Sequence, residues 1–174
     1  MIVANWKCNG STEMIQDWLK HYKNTCIPLD KTFVGIAPPY LYVEHLTNLI
    51  NAHGLDIKIG VQDIDISSGA RTSAISVDMI QDMECQFTII GHSERRNIFD
   101  ESDKSISAKL DSVGSKVATI LCIGESAEEN KNKNTKNVLK QQLSVIKGKT
   151  MSSSFSVAYE PVWAIGTGNT PTPD

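Results

Sequence analysis

Six short apolar runs, separated by amphipathic stretches, restrict what this chain can fold into more than any other feature. They begin near Ile2 (IVANW), Thr32 (TFVGIA), Ile57 (IKIGVQ), Phe87 (FTIIGH), Val117 (VATILCIG) and Phe155 (FSVAYE). Each is rich in valine, isoleucine or phenylalanine and short, as expected of strands covered on both faces. Successive starts lie about 25 to 38 residues apart, the length of one strand with its following helix. The first intervening stretch places Met14, Ile15, Trp18, Leu19 and Tyr22 on one helical face, with Ser11 as its N-cap. The second carries Val43, Leu46, Leu49 and Ile50 and stops at Gly54. A short third helix is expected from Ser76 through Met83, and a fourth from Ser102 to Val113, closed by Gly114. The polar tract from Asn130 to Asn137 reads as a solvated loop and helix face. A fifth helix with Val138, Leu139, Leu143 and Ile146 follows it, ahead of Gly148. Six such units in a row predict a parallel α/β architecture, with residues 1–174 as a single domain. The pattern alone does not separate a closed barrel from a doubly wound open sheet. No G-x-G-x-x-G follows the first run, which counts against a dinucleotide-binding sheet.

Composition removes several function classes. A net charge of -3 gives no general basic field for nucleic acid or an anionic membrane. No apolar run approaches the roughly 20 residues a membrane helix needs, and Met1–Asn5 shows no charged segment leading into a long apolar one. Cys8, Cys26, Cys85 and Cys122 are widely spaced, without metal-ligand or C-x-x-C spacing, and read as reduced thiols of a cytoplasmic protein.

Reactive residue types recur where the predicted strands end. The first ends in Asn5-Trp6-Lys7, the third in Gln62-Asp63, and the fourth in Gly91-His92-Ser93-Glu94-Arg95-Arg96. The fifth ends in Cys122-Ile123-Gly124-Glu125 and the sixth in Tyr159-Glu160-Pro161. In a parallel sheet that edge is where ligands bind. Lysine, histidine and two carboxylates on one rim suit an anionic substrate and proton transfer. Each residue also has a plainer reading. Lys7 alone is a surface cation, His92 a histidine at a strand end, Ser93 a helix cap, and Glu160 a strand terminus extended by Pro161. The joint placement is what points to chemistry.

Four strings carry a family resemblance. Asn5-Trp6-Lys7-Cys8-Asn9-Gly10, Ile90-Gly91-His92-Ser93-Glu94-Arg95-Arg96, Leu121-Cys122-Ile123-Gly124-Glu125 and the stretch AYEPVWAIGTG at 158–168 resemble the signature segments of triosephosphate isomerases, in order and spacing. The resemblance implies a TIM (β/α)8 barrel. It also implies the interconversion of dihydroxyacetone phosphate and D-glyceraldehyde 3-phosphate, in glycolysis and gluconeogenesis. By the same resemblance Glu160 is the base and His92 the electrophile that polarises the carbonyl. Asn5, Lys7 and the Gly166 N–H bind substrate, and Glu94, Ser93 and Cys122 support them. Residues 161–172 form the lid. No metal or organic cofactor is implied, and the partner is a second copy, reached through the loop that holds Thr72. This family is itself the reference case for a neutral imidazole held at a helix N-terminus and for lid closure.

The sequence also departs from the family pattern. A full barrel takes about 250 residues, whereas six units are present here and the string ends inside the lid at Pro173-Asp174. The first and sixth strands are therefore expected to be open edges, and the isolated chain to show little or no isomerase activity. The alternative reading is an inactive truncated barrel that only self-associates. Gly69-Ala70-Arg71-Thr72-Ser73-Ala74 stands where the family usually has G-A-aromatic-T-G-E, which makes the implied dimer loop atypical. Asp63 takes the place of a common asparagine. Pro171, with its fixed φ, is expected to stiffen the lid.

Overall fold

In the computed structural model of the protein, residues 1–25 and 32–172 are described. Cys26, Pro173 and Asp174 lie outside the described residues.

All six apolar runs form strands: β1 (Ile2–Asn5), β2 (Val34–Ala37), β3 (Lys58–Val61), β4 (Phe87–Ile90), β5 (Ala118–Ile123) and β6 (Ser156–Tyr159). They make one sheet in the order β1-β2-β3-β4-β5-β6, every pairing parallel. A doubly wound sheet reverses its strand order at a switch point. No reversal occurs here, so the sheet curls in one direction as six units of the TIM-barrel α/β fold.

Four of the helices begin where a serine side chain satisfies one of their first N–H groups. α1 (Thr12–Thr25) starts with the Met14 N–H donating to Ser11 Oγ at 3.0 Å, and buries Ile15 and Leu19. α2 (Val43–Ala52) follows a 3-10 turn (Tyr40–Tyr42) and buries Val43, Leu46 and Ile50. α3 (Val77–Asp82) is capped by Ser76. α4 (Ser93–Ile98) follows β4 directly, and α5 (Asp103–Val113), capped by Ser102, ends at Gly114. α6 (Ala127–Lys131) opens on a capping box between Ser126 and Glu129.

Two details differ from the sequence reading. The tract from Asn130 to Asn137 is divided between α6, a turn, and the start of α7 (Thr135–Leu143). The fifth predicted helix tightens after Leu143 into a 3-10 turn (Ser144–Ile146), because helix ends close readily on i+3 bonds.

The core has two layers. One joins helix residues such as Ile15, Leu46, Ile106 and Leu110 to Ile36, Ile90 and Leu121 of the sheet. The other holds Ala37, Phe87, Ile89 and Ile120, with Phe33 and Val3 against them, and among the described residues takes nothing from a helix. It is the concave interior. Alternation along β4 sends Phe87 and Ile89 inward and Ile90 outward. The fully buried Phe87 ring lies edge-on to Phe33, centroids 5.8 Å apart. It occupies the space left by two glycines: a Cβ on Gly60 would come within 2.5 Å of the ring, and one on Gly35 within 2.8 Å.

Candidate active site

Parallel strands put all six C-terminal ends on one edge, and there the predicted residues assemble. Asn5 ends β1, and its Oδ1 accepts the Lys7 N–H at 2.9 Å. The Lys7 carbonyl accepts from Gln62 Nε2 at 2.8 Å. Lys7 is thereby held in the left-handed region, at φ 52°, a conformation that costs a non-glycine residue on the order of 1–3 kcal/mol. Its Nζ reaches Glu94 Oε1 at 2.8 Å.

His92 follows β4 and is itself the N-cap of α4, correcting the plainer reading of Ser93 as the cap. Its extended backbone turns the ring so that Nδ1 accepts the Glu94 N–H at 3.2 Å. A backbone N–H only donates, so Nδ1 carries no proton and the neutral ring keeps its proton on Nε2. Burial lowers the imidazole pKa below its ordinary value; Glu94 and Glu160 pull it up and Lys7 pushes it down, but burial prevails. Nε2 lies 4.0 Å from Glu160 Oε2.

Glu160 follows β6, and its side chain is half exposed. Its N–H donates to the Ile123 carbonyl at 2.9 Å, continuing the β5–β6 ladder past the strand end. The Glu160 peptide passes so close to Gly124 that any Cβ there would strike its carbonyl. Gln142 holds Gly124 from the other side, accepting its N–H at 2.8 Å and donating to its carbonyl at 3.0 Å.

Ser93 Oγ is buried without a hydrogen-bond partner, and Ser93, Cys122 and Glu160 line one small cavity. Burial, with Glu160 nearby, pushes the Cys122 thiol up to about 12, so it stays protonated and is no nucleophile. A larger pocket of about 330 Å³ is lined by Asn5, Lys7, Gln62, His92 and Glu94, among others. Asn5, Lys7, Glu94, His92 and Glu160 thus form one connected group. Gly166 does not join it. It is exposed, at φ 69°, with nothing within 4 Å of where a Cβ would stand.

Sequence reasoning missed Gln142 and quoted Gln62 at a strand end without a role; their work as backbone clamps has no local signature. It quoted Glu125 without a role. Glu125 is fully buried and accepts from Trp163 Nε1 at 2.9 Å, Asn130 Nδ2 at 3.0 Å and the Tyr159 hydroxyl at 3.1 Å. Burial alone would raise its pKa, yet these donors bring the carboxyl below its ordinary value. The Val162 N–H donates to the Glu125 carbonyl at 2.9 Å. Glu125 therefore ties the 3-10 turn Val162–Ala164 to the end of β5.

A donor N–H, a carboxylate beyond it and a neighbouring ammonium are suited to removing a proton beside a carbonyl and stabilising the resulting oxyanion. Comparison with known proteins points the same way. The family model described as triosephosphate isomerase matches residues 1–174. The triosephosphate isomerase of Serratia proteamaculans is 37% identical over 180 residues, covering 99% of this chain and 69% of the relative. That of Erwinia tasmaniensis has the same identity and coverage. The Klebsiella pneumoniae enzyme of that name is 36% identical over 178 residues, again 99% of this chain and 69% of the relative. With the match running the whole length of the sequence, the chain belongs to the triosephosphate isomerase family, a family of isomerases.

Proposed function

We propose that the protein interconverts dihydroxyacetone phosphate and D-glyceraldehyde 3-phosphate. Glu160 takes a proton from the carbon beside the carbonyl. His92 Nε2–H donates to the carbonyl oxygen as negative charge develops there and relays to it the hydroxyl proton of the neighbouring oxygen, so that oxygen becomes the new carbonyl, and Glu160 returns the carbon-bound proton to the former carbonyl carbon. The Lys7 ammonium opposes the charge of substrate and enediolate, and Asn5 orients it. The observation that carries this reading is the His92 ring, whose donor face is fixed by the Glu94 N–H and lies 4.0 Å from Glu160.

Gly166 binds the phosphate only after residues 161–172 fold over the site, because it is exposed as it stands. That closure also excludes water from the enediolate. Within the proposal, residues 1–174 act as one domain of a cytoplasmic enzyme of glycolysis and gluconeogenesis, and a second copy is met through the Thr72 loop. Among the described residues, no helix is long and apolar enough to cross a membrane. Arg71 in the Thr72 loop pairs with Asp65 of its own chain at 2.8 Å.

The test is isomerase turnover of the natural full-length protein and of its Glu160→Gln form. Loss of a positioned base lowers kcat by about 10²–10⁴-fold. A wild-type protein without turnover, or a Glu160→Gln form that retains it, refutes the reading. An inactive, self-associating chain is the second reading. It is favoured by exposed apolar residues on the outermost strands: Ile2 at 56%, Val157 at 43% and Tyr159 at 45%.

A further inference from the structure

A charged cluster lies beside the site, and the mechanism above does not use it. Asp63, just past β3, accepts from Lys109 Nζ of α5 through both carboxylate oxygens, at 2.7 and 2.6 Å. Lys109 is buried and pairs also with Glu101. Arg95 Nε of α4 lies 3.1 Å from Asp63 Oδ2, and its guanidinium rests on the Phe99 ring at 4.4 Å. The Tyr40 hydroxyl donates to the Asp63 carbonyl. The two acids and two bases sum to zero charge. An asparagine at position 63 would leave Lys109 paired with Glu101 alone and the part-exposed Arg95 without its carboxylate.

The cluster matters because α4 is held by side-chain contacts rather than by burial. The helix has six residues and buries none of them. A helix so short does not persist by itself. Its first turn is fixed by side chains: Glu94 to Lys7, Arg95 to Asp63, and Arg96 to the Gly91 carbonyl at 2.9 Å and Asp103 at 2.7 Å. That same turn presents the Glu94 N–H to His92 Nδ1. The cluster is also not a saturated scaffold. Arg95 Nε forms no aligned hydrogen bond and Glu101 Oε2 has no partner, so the Asp63–Arg95 attraction is not duplicated by other bonds of Arg95 Nε.

We infer that Asp63 is a positioning residue: by attracting Arg95 while anchored on Lys109, it holds the first turn of α4 where the Glu94 N–H fixes the tautomer of His92. This deepens the proposed isomerase reading and rests on it for the kinetic consequence, though not for the structural one.

The test compares wild type, Asp63→Asn, Arg95→Gln and the double variant of the full-length protein, well below the unfolding temperature. The first readout is the ring ¹⁵N signals of His92, which report whether Nδ1 still accepts a hydrogen bond. The second is kcat and KM with dihydroxyacetone phosphate. Asp63→Asn is expected to move the His92 Nδ1 signal and lower kcat about tenfold with KM within twofold, the pattern of an interaction felt in the transition state. The double variant should lose no more than the worse single one. A folded Asp63→Asn form with unshifted His92 signals overturns the proposal, whatever its turnover. A shifted His92 in a protein whose wild type has no turnover supports the positioning role while removing the isomerase reading.

Discussion

Single residues in this site are controlled by what their backbone neighbours donate. His92 is the clearest case, because one peptide N–H decides which nitrogen keeps the proton. Burial lowers its folded pKa below about 6.5, the value of the unfolded chain. The folded protein then binds fewer protons than the unfolded one between the two values. The stability that His92 contributes is full above about pH 6.5 and is lost as pH falls through its folded pKa. At pH 6.5 the His92 ring is expected to be mostly neutral by ¹⁵N titration; a ring already half protonated there contradicts the assignment. Glu125 behaves in the same sense for a different reason, since its donors favour the charged carboxylate whereas burial disfavours the charged imidazolium. Its folded pKa is depressed, so its contribution holds above its unfolded value and disappears in acid.

At the level of elements, the strands and most helices were legible, while α4 and α6 had no apolar signal. Every strand came from a β-branched run bounded by polar or glycine signals, and each observed strand lies inside the stretch expected for it. α1, α2, α3 and α5 showed in their apolar spacing or their serine caps. α4 and α6 have six and five residues, less than two turns, and bury no residue, so no apolar period could reveal them. The Ser126/Glu129 spacing of α6 was readable as a capping box, but no apolar run followed to give it weight. Ser126→Ala is expected to cost about 1 kcal/mol in urea unfolding, with faster amide exchange confined to residues 127–131. An unchanged midpoint and unchanged exchange would show that the packing of α6 outweighs its cap. At the site, strand-end placement was enough to gather Asn5, Lys7, His92 and Glu160. The cluster of Asp63, Arg95, Glu101 and Lys109 was not legible, because its members share no period and meet only when β3, α4 and α5 are packed.

Across the whole molecule, the parallel order separates chemistry from packing. One edge of the sheet carries the reactive side chains, while the faces carry the two cores. The outermost strands, β1 and β6, each have one hydrogen-bonded neighbour among the described residues. A polypeptide confined to residues 1–174 is therefore expected to associate through those edges and to turn over little substrate. Sedimentation velocity from 1 to 100 μM checks this, and a concentration-independent monomer with robust turnover contradicts it. The concave interior has a consequence of another kind. Phe87 fits only because Gly35 and Gly60 have no side chains, and those glycines leave a void unless a large ring fills it. A lineage that shrinks residue 87 opens a cavity, and one that enlarges either glycine first creates a clash. The three positions are thus free to drift only in concert, and related sequences should show them changing as a linked set.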